Sequence, residues 1–136
     1  MPYCTQADLI ERFGEDELLA IARDETGTAI DTAVVERACE DASGEIDGYV
    51  SAAGYPVPLS PVPRIVISYA CDIARYRLYD EQAQEQVQKR YDAAIKFLRM
   101  VSRGEVRLGI STGQGSSSAG SVTMTSGRQV FNGGGF

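Results

Sequence analysis

Five carboxylates recur at helical spacing in the stretch 32–53: Glu36, Glu40, Asp41, Glu45 and Asp47. Glu36, Glu40 and Asp47 share one face of the predicted helix, and the other two lie beside them. Carboxylate clusters can bind cations or act as acid–base pairs. This stretch has no EF-hand loop pattern and the chain contains no histidine. We therefore interpret these carboxylates as a solvated or partner-facing side of a helix.

The remaining residue types exclude several kinds of catalytic site. Without histidine there is no Ser–His or Cys–His pair and no histidine-ligated metal. Cys4, Cys39 and Cys71 are far apart and form no CxxC motif, so we interpret them as reduced, small apolar side chains. The glycines around 113–115 are not followed by a helix with a lysine, so they form no P-loop. We expect no enzymatic activity, no cofactor and no metal.

Apolar residues that recur every three or four positions predict an all-α fold. Four main helices are predicted near 5–13, 32–53, 64–79 and 85–103, with a shorter one near 15–23. Thr5 followed by Asp8 resembles a capping box for the first helix, and Asp31 is suited to cap the acidic one. The sequence therefore predicts a small bundle of four to five helices.

A proline-rich connector joins the two central helices of this bundle. Pro56, Pro58 and Pro61 stiffen the loop, and Pro63 stands where the next helix begins. Two helices joined by a short, stiff loop tend to fold back on each other. We expect this pair to form the core of the domain.

The composition changes at residue 111, which divides the chain into a helical domain (1–110) and a C-terminal arm (111–136). The arm holds half of the 14 glycines, and Arg128 is its only charged residue. Such a segment cannot bury enough apolar surface to fold alone, so we expect an extended, flexible arm. We predict that it binds a partner through Val122, Met124, Arg128, Val130, Phe131 and Phe136.

Charge is divided unevenly along the chain. Residues 1–63 carry 13 acidic and 3 basic side chains, a net charge of −10. Residues 64–136 carry 6 acidic and 10 basic side chains, a net charge of +4. Lys89, Lys96 and Arg103 give the last helix a basic side at seven-residue spacing. Two explanations stay open: pairing within the bundle, or pairing between copies. For the second, we predict a subunit interface of Glu36, Glu40 and Asp47 against Lys89, Lys96 and Arg103.

No apolar run approaches the ~20 residues that a membrane helix requires. The N-terminus also lacks a basic segment followed by an apolar one, the pattern of a signal peptide. We therefore expect a soluble, intracellular protein with no membrane partner.

Several short runs resemble those of the Mu-like phage head–tail connector family. They are residues 46–49 (IDGY), 54–59 (GYPVPL), Pro63 and 70–76 (ACDIARY), with the opening 3–9 (YCTQADL). The resemblance implies a structural subunit of a homo-oligomeric ring, expected to be twelvefold, between the portal vertex and the tail. The implied partners are the portal protein and a tail-side connector or stopper protein. DNA would pass through the ring without sequence-specific binding, in a virion whose head–tail junction is assembled in the host cytoplasm.

The alternative function is a small DNA-binding regulator. Residues 5–22 superficially resemble a helix-turn-helix, whose second helix enters the major groove near its N-terminal end. That end carries Glu15, Asp16 and Glu17 here. Three negative charges would face the phosphates, where binding requires positive charge.

Overall fold

The computed structural model describes residues 2–110, and Met1 and residues 111–136 lie outside the described part. It contains five α-helices: α1 (Gln6–Phe13), α2 (Glu15–Ile21), α3 (Thr32–Ala52), α4 (Arg64–Tyr79) and α5 (Glu85–Ser102). A short 3₁₀ turn, Asp80–Gln82, follows α4. The described residues form no strand and only one isolated bridge, between Arg23 and Ile30. The predicted all-α bundle is confirmed.

Helices α1 and α3 begin where a side chain satisfies one of their first amide groups. Thr5 and Asp8 form a complete capping box at α1, and Asp31 accepts a hydrogen bond from the Val34 amide at the start of α3. The helix bounds differ from the predicted ones by one or two residues. Most of this difference arises because the caps Thr5, Ala53 and Arg103 were predicted to lie inside the helices.

The core lies where α3, α4 and α5 pack on one another. Each helix contributes one apolar side, and the largest completely buried side chains include Val35, Ile46, Val50, Val66, Ile73, Leu98 and Val101. The helices α1 and α2 cover part of this core and add Leu9 and Leu18. Between them Gly14 has φ 94°, a conformation that favours glycine and sharply redirects the chain.

The proline loop holds both ends of the helical body. The peptide bonds preceding Pro58 and Pro61 are cis. Within the loop, the Leu59 amide donates a 2.8 Å hydrogen bond to the hydroxyl of Tyr3 from the N-terminal segment. The hydroxyl of Tyr55 accepts a 2.9 Å hydrogen bond from the Leu108 amide, which follows α5. The chain therefore enters and leaves the described body beside the same loop.

Shortening two core side chains tests this packing. Ile73→Ala and Leu98→Ala should each lower the free energy of unfolding by about 2–5 kcal/mol, because both side chains are almost completely buried. Ile65→Ala, on the same helix as Ile73 but 43% exposed, is the matched control and should change it far less. Urea unfolding followed by circular dichroism measures all three. Equal effects at positions 65 and 73 would mean that α4 is rotated about its axis.

Candidate subunit-contact surfaces

Helix α3 has two flanks that face different neighbours. On one flank Glu45 contacts α4 and α5. Its carboxylate accepts hydrogen bonds from the Arg77 guanidinium (2.8 Å) and the Tyr91 hydroxyl (3.1 Å). The opposite flank runs beside the N-terminal segment, where the Tyr3 amide donates to the Ser43 hydroxyl at 2.7 Å. This second flank carries Glu36, Glu40 and Asp47, and we call it the acidic flank.

The three residues of the acidic flank differ in their surroundings. Glu36 and Glu40 are exposed to solvent, as the sequence predicted. Asp47 is half-buried and accepts a hydrogen bond from the Tyr3 hydroxyl. Burial and the neighbouring Asp47 carboxylate raise the pKa of Tyr3 to about 12, so this hydroxyl keeps its proton at neutral pH. Asp47 therefore already has an intramolecular partner, whereas Glu36 and Glu40 have exposed carboxylates.

The predicted basic residues lie along the outer side of α5, which we call the basic flank. Lys89 pairs with Glu85 at 2.9 Å and Arg103 with Glu105 at 3.3 Å, all four being exposed. Lys96 and Arg99, also exposed, take part in no ion pair among residues 2–110. Pairs this exposed contribute only about 0–1 kcal/mol and exchange partners easily.

No ion pair within the described part of the chain joins the acidic flank to the basic flank. The acidic and basic halves of the chain do pair elsewhere, through Glu17 with Arg75 and Glu45 with Arg77. Pairing within the bundle thus accounts for part of the charge division. Glu36, Glu40 and Lys96 take part in no ion pair among the described residues.

A partly buried ionic network, which the sequence did not predict, attaches α1 and α2 to the core. Arg75 binds Glu17 through two hydrogen bonds, of 2.6 and 2.9 Å, and its guanidinium lies 4.1 Å from the centre of the Phe13 ring. Two parallel bonds to a carboxylate are the strongest geometry that arginine offers. Arg90 reaches the buried Asp72 at 3.2 Å from the neighbouring helix.

Two opposing effects act on the pKa of the Asp72 carboxyl group. Burial disfavours its charged form and raises its pKa, while Arg90 and Arg75 act in the opposite direction. Burial dominates, so the pKa lies above its ordinary value of 3.8 despite the ion pair. The residue links α4 to α5 but has no exposed surface with which to meet a partner.

The three cysteines come together in the core from three separate segments. Cys4, Cys39 and Cys71 are free and buried, as predicted. The neighbouring thiols and burial raise the pKa of Cys4, so this thiol stays protonated and unreactive. Within residues 2–110, no group of three cysteine, aspartate or glutamate side chains has the geometry to hold a metal ion.

Two concave surfaces lie beside α3. A groove of about 600 Å³ faces α4 and α5, and the stacked rings of Tyr76 and Tyr91, 4.0 Å apart, form part of its wall. A smaller pocket of about 370 Å³ lies on the acidic flank, between α3 and the N-terminal segment, and we call it the N-terminal pocket.

The remaining predicted contacts fall beyond the described residues. All six arm positions lie there: Val122, Met124, Arg128, Val130, Phe131 and Phe136. Their partner-binding role stays a prediction, as does the subunit interface between the two flanks. In the part of the chain that is described, no helix is long and apolar enough to cross a membrane.

Comparison with known proteins points to one phage family. The family model described as "Bacteriophage Mu, Gp36" matches residues 3–126. The Mu-like prophage FluMu protein gp36 of Haemophilus influenzae is 37% identical over 109 residues, which is 80% of this chain and 77% of that protein. Gene product J of Escherichia phage Mu is 33% identical, over 97% of this chain and 95% of that protein.

The pH dependence of stability should report the burial of Asp72. Because the pKa is raised in the folded state, the folded protein binds the proton more tightly than the unfolded chain does just above pH 3.8. Relative to Asp72→Asn, the wild type should therefore lose stability as the pH rises through this window and then reach a plateau. Urea unfolding from about pH 4 to 7 tests this, with the exposed Asp92→Asn as control. A wild-type advantage that grows with pH would contradict it.

Proposed function

The chain belongs to the Bacteriophage Mu Gp36 family, and from this premise we propose that it is a structural head–tail connector subunit of a Mu-like phage. In this proposal, copies form a ring between the portal vertex and the tail. Its partners are the portal protein and a tail-side connector or stopper protein, and DNA passes through without sequence-specific binding. The protein then acts in the virion as an assembly component and not as an enzyme.

One observation carries the proposal: the acidic flank lies on the side of α3 away from Glu45, which contacts α5, and no ion pair joins it to the basic flank within residues 2–110. A subunit with one negatively charged surface and one positively charged surface is suited to head-to-tail contact between identical copies. Such heterologous contacts form a ring when the rotation between copies closes.

The charges would orient the copies more than hold them together. Each exposed pair is worth about 0–1 kcal/mol and weakens with salt. Glu36 and Glu40 are the acidic groups of the contact, because Asp47 is bonded to Tyr3. On the other copy Lys96 has no ionic partner within residues 2–110, and Arg103 would exchange its bond to Glu105 for one across the contact.

The alternative, a helix-turn-helix regulator, has weaker support. Helix α2 is only seven residues long, and its first turn holds Glu15, Asp16 and Glu17. Arg75 on α4 binds Glu17, so the first turn of α2 is attached to the helical core of the same molecule. DNA binding would require positive charge at this position.

Charge reversal on the basic flank tests the ring contact. Lys96→Glu with Arg103→Glu should lower incorporation of the subunit into phage particles several-fold, because like charges would then face each other. Arg37→Glu with Arg64→Glu is the matched control: it makes the same change in net charge at two exposed positions off the flank. Quantitative immunoblotting of purified particles measures incorporation.

A compensating variant separates this contact from general electrostatic effects. Adding Glu36→Lys, Glu40→Lys and Arg128→Glu to the reversed subunit exchanges the signs on both flanks and on the arm, so incorporation should recover. If the reversed subunit enters particles as well as the wild type does, the proposed contact between the flanks is wrong.

Removing the arm tests its predicted role in assembly. A chain ended after Ile110 keeps every described core residue, so its melting temperature should equal that of the full chain. It should no longer join portal-bearing heads, because the proposed partner-binding residues are missing. Differential scanning calorimetry and sedimentation of reconstituted heads measure the two properties. Normal joining without the arm would show that residues 111–136 are dispensable for assembly.

A further inference from the structure

The N-terminal pocket has apolar walls and an acidic rim. Pro2, Ala7, Cys4 and Cys39 line its walls, and Glu36 and Glu40 stand at its edge. The Asp8 carboxylate also lies near enough to act electrostatically on Cys39, as do both glutamates. An occupant matched to this pocket combines apolar side chains with a positive charge.

The pocket also offers an unused hydrogen-bond acceptor. Gln6 lines it, and the amide oxygen Oε1 of Gln6 is buried without a hydrogen-bond partner among residues 2–110. A buried acceptor left without a donor destabilises the folded protein, so such groups are rare. A bound segment that supplied an N–H group here would remove this cost.

We propose that the N-terminal pocket binds the C-terminal arm of an adjacent copy, through residues 122–131. This segment brings the required chemistry: apolar Val122, Met124, Val130 and Phe131, and Arg128, the only charge of the arm. The Arg128 guanidinium pairs with Glu36 and Glu40, and the apolar side chains cover the walls. Gln6 Oε1 accepts a hydrogen bond from the bound segment.

The length of the arm permits this contact. The arm starts beside the proline loop, because the Leu108 amide is bonded to Tyr55. From Ala52, its last residue, back to Cys39, α3 runs for thirteen residues, a rise of about 20 Å. The eighteen residues 111–128 span at most ~60 Å, so Arg128 can reach such a pocket on a neighbour.

The choice of the adjacent copy rests on the proposed function. In the head-to-tail contact the basic flank of one subunit lies against the acidic flank of the next. Since the arm follows α5 in the chain, its first residues then lie near the neighbour's acidic flank, which contains the pocket. The proposal thus names the acceptor of the arm and the residues that recognise it.

Photocross-linking in assembled particles tests the inference. A full-length chain with Phe131→benzoylphenylalanine is produced together with the other phage proteins, and the particles are irradiated and run on a denaturing gel. We expect an adduct of twice the chain's mass. Peptide mass spectrometry should place the cross-link within residues 2–7 or 36–40.

Substitution of Arg128 checks the recognition itself. In the photoreactive chain, Arg128→Gln should lower the yield of the double-mass adduct several-fold, whereas Arg128→Lys, which keeps the charge, should largely preserve it. An adduct with another protein, a cross-link within one copy or a site elsewhere on the neighbour overturns the inference and leaves the connector proposal intact. Absence of the chain from particles overturns both.

Discussion

The burial of the apolar sides of α3 and α4 against each other is the constraint on which the other contacts depend. Val35, Ile46 and Val50 on α3 face the core together with Val66 and Ile73 on α4. All five are at most 1% exposed to solvent. Each side chain of this kind contributes about 1.5–3 kcal/mol when fully buried. Helix α5 closes the third side, and the outer sides of all three helices remain free to carry charge.

Polar tethers then fix the irregular segments onto this core. Tyr3 spans from the acidic flank to the proline loop, because its hydroxyl donates to Asp47 and accepts from the Leu59 amide. Tyr55 fixes the segment after α5 to the same loop, because its hydroxyl accepts a hydrogen bond from the Leu108 amide. These bonds place the N-terminal segment against α3 and thereby create the N-terminal pocket. The pocket's position thus depends on this tyrosine together with the packing of α1 beside α3.

Periodicity predicted the helices well because the apolar repeat of a helix is local in the sequence, and the side-chain caps of α1 and α3 lie at their first turns. The ionic network could not be found in this way. Glu17 and Arg75 are 58 positions apart, and only the fold brings α2 against α4. Aspartate is usually found on the surface, yet Asp72 is buried and paired with Arg90. Likewise, nothing in the sequence near Asp47 indicates its hydrogen bond with Tyr3, 44 positions away. Because of this bond, Asp47 is less suited than Glu36 and Glu40 to the predicted subunit interface.

The proposed assembly relies on two weak kinds of contact between the same neighbours. Exposed ion pairs alone are too weak to hold two copies together in physiological salt. An arm seated in the next copy's pocket would act together with them, because the first contact raises the effective concentration for the second. Neither contact needs to be strong by itself, so free copies can stay apart until a template aligns them. In the proposed ring, closure would add the same pair of contacts at every boundary, so the assembled state would be stable without any single strong interface.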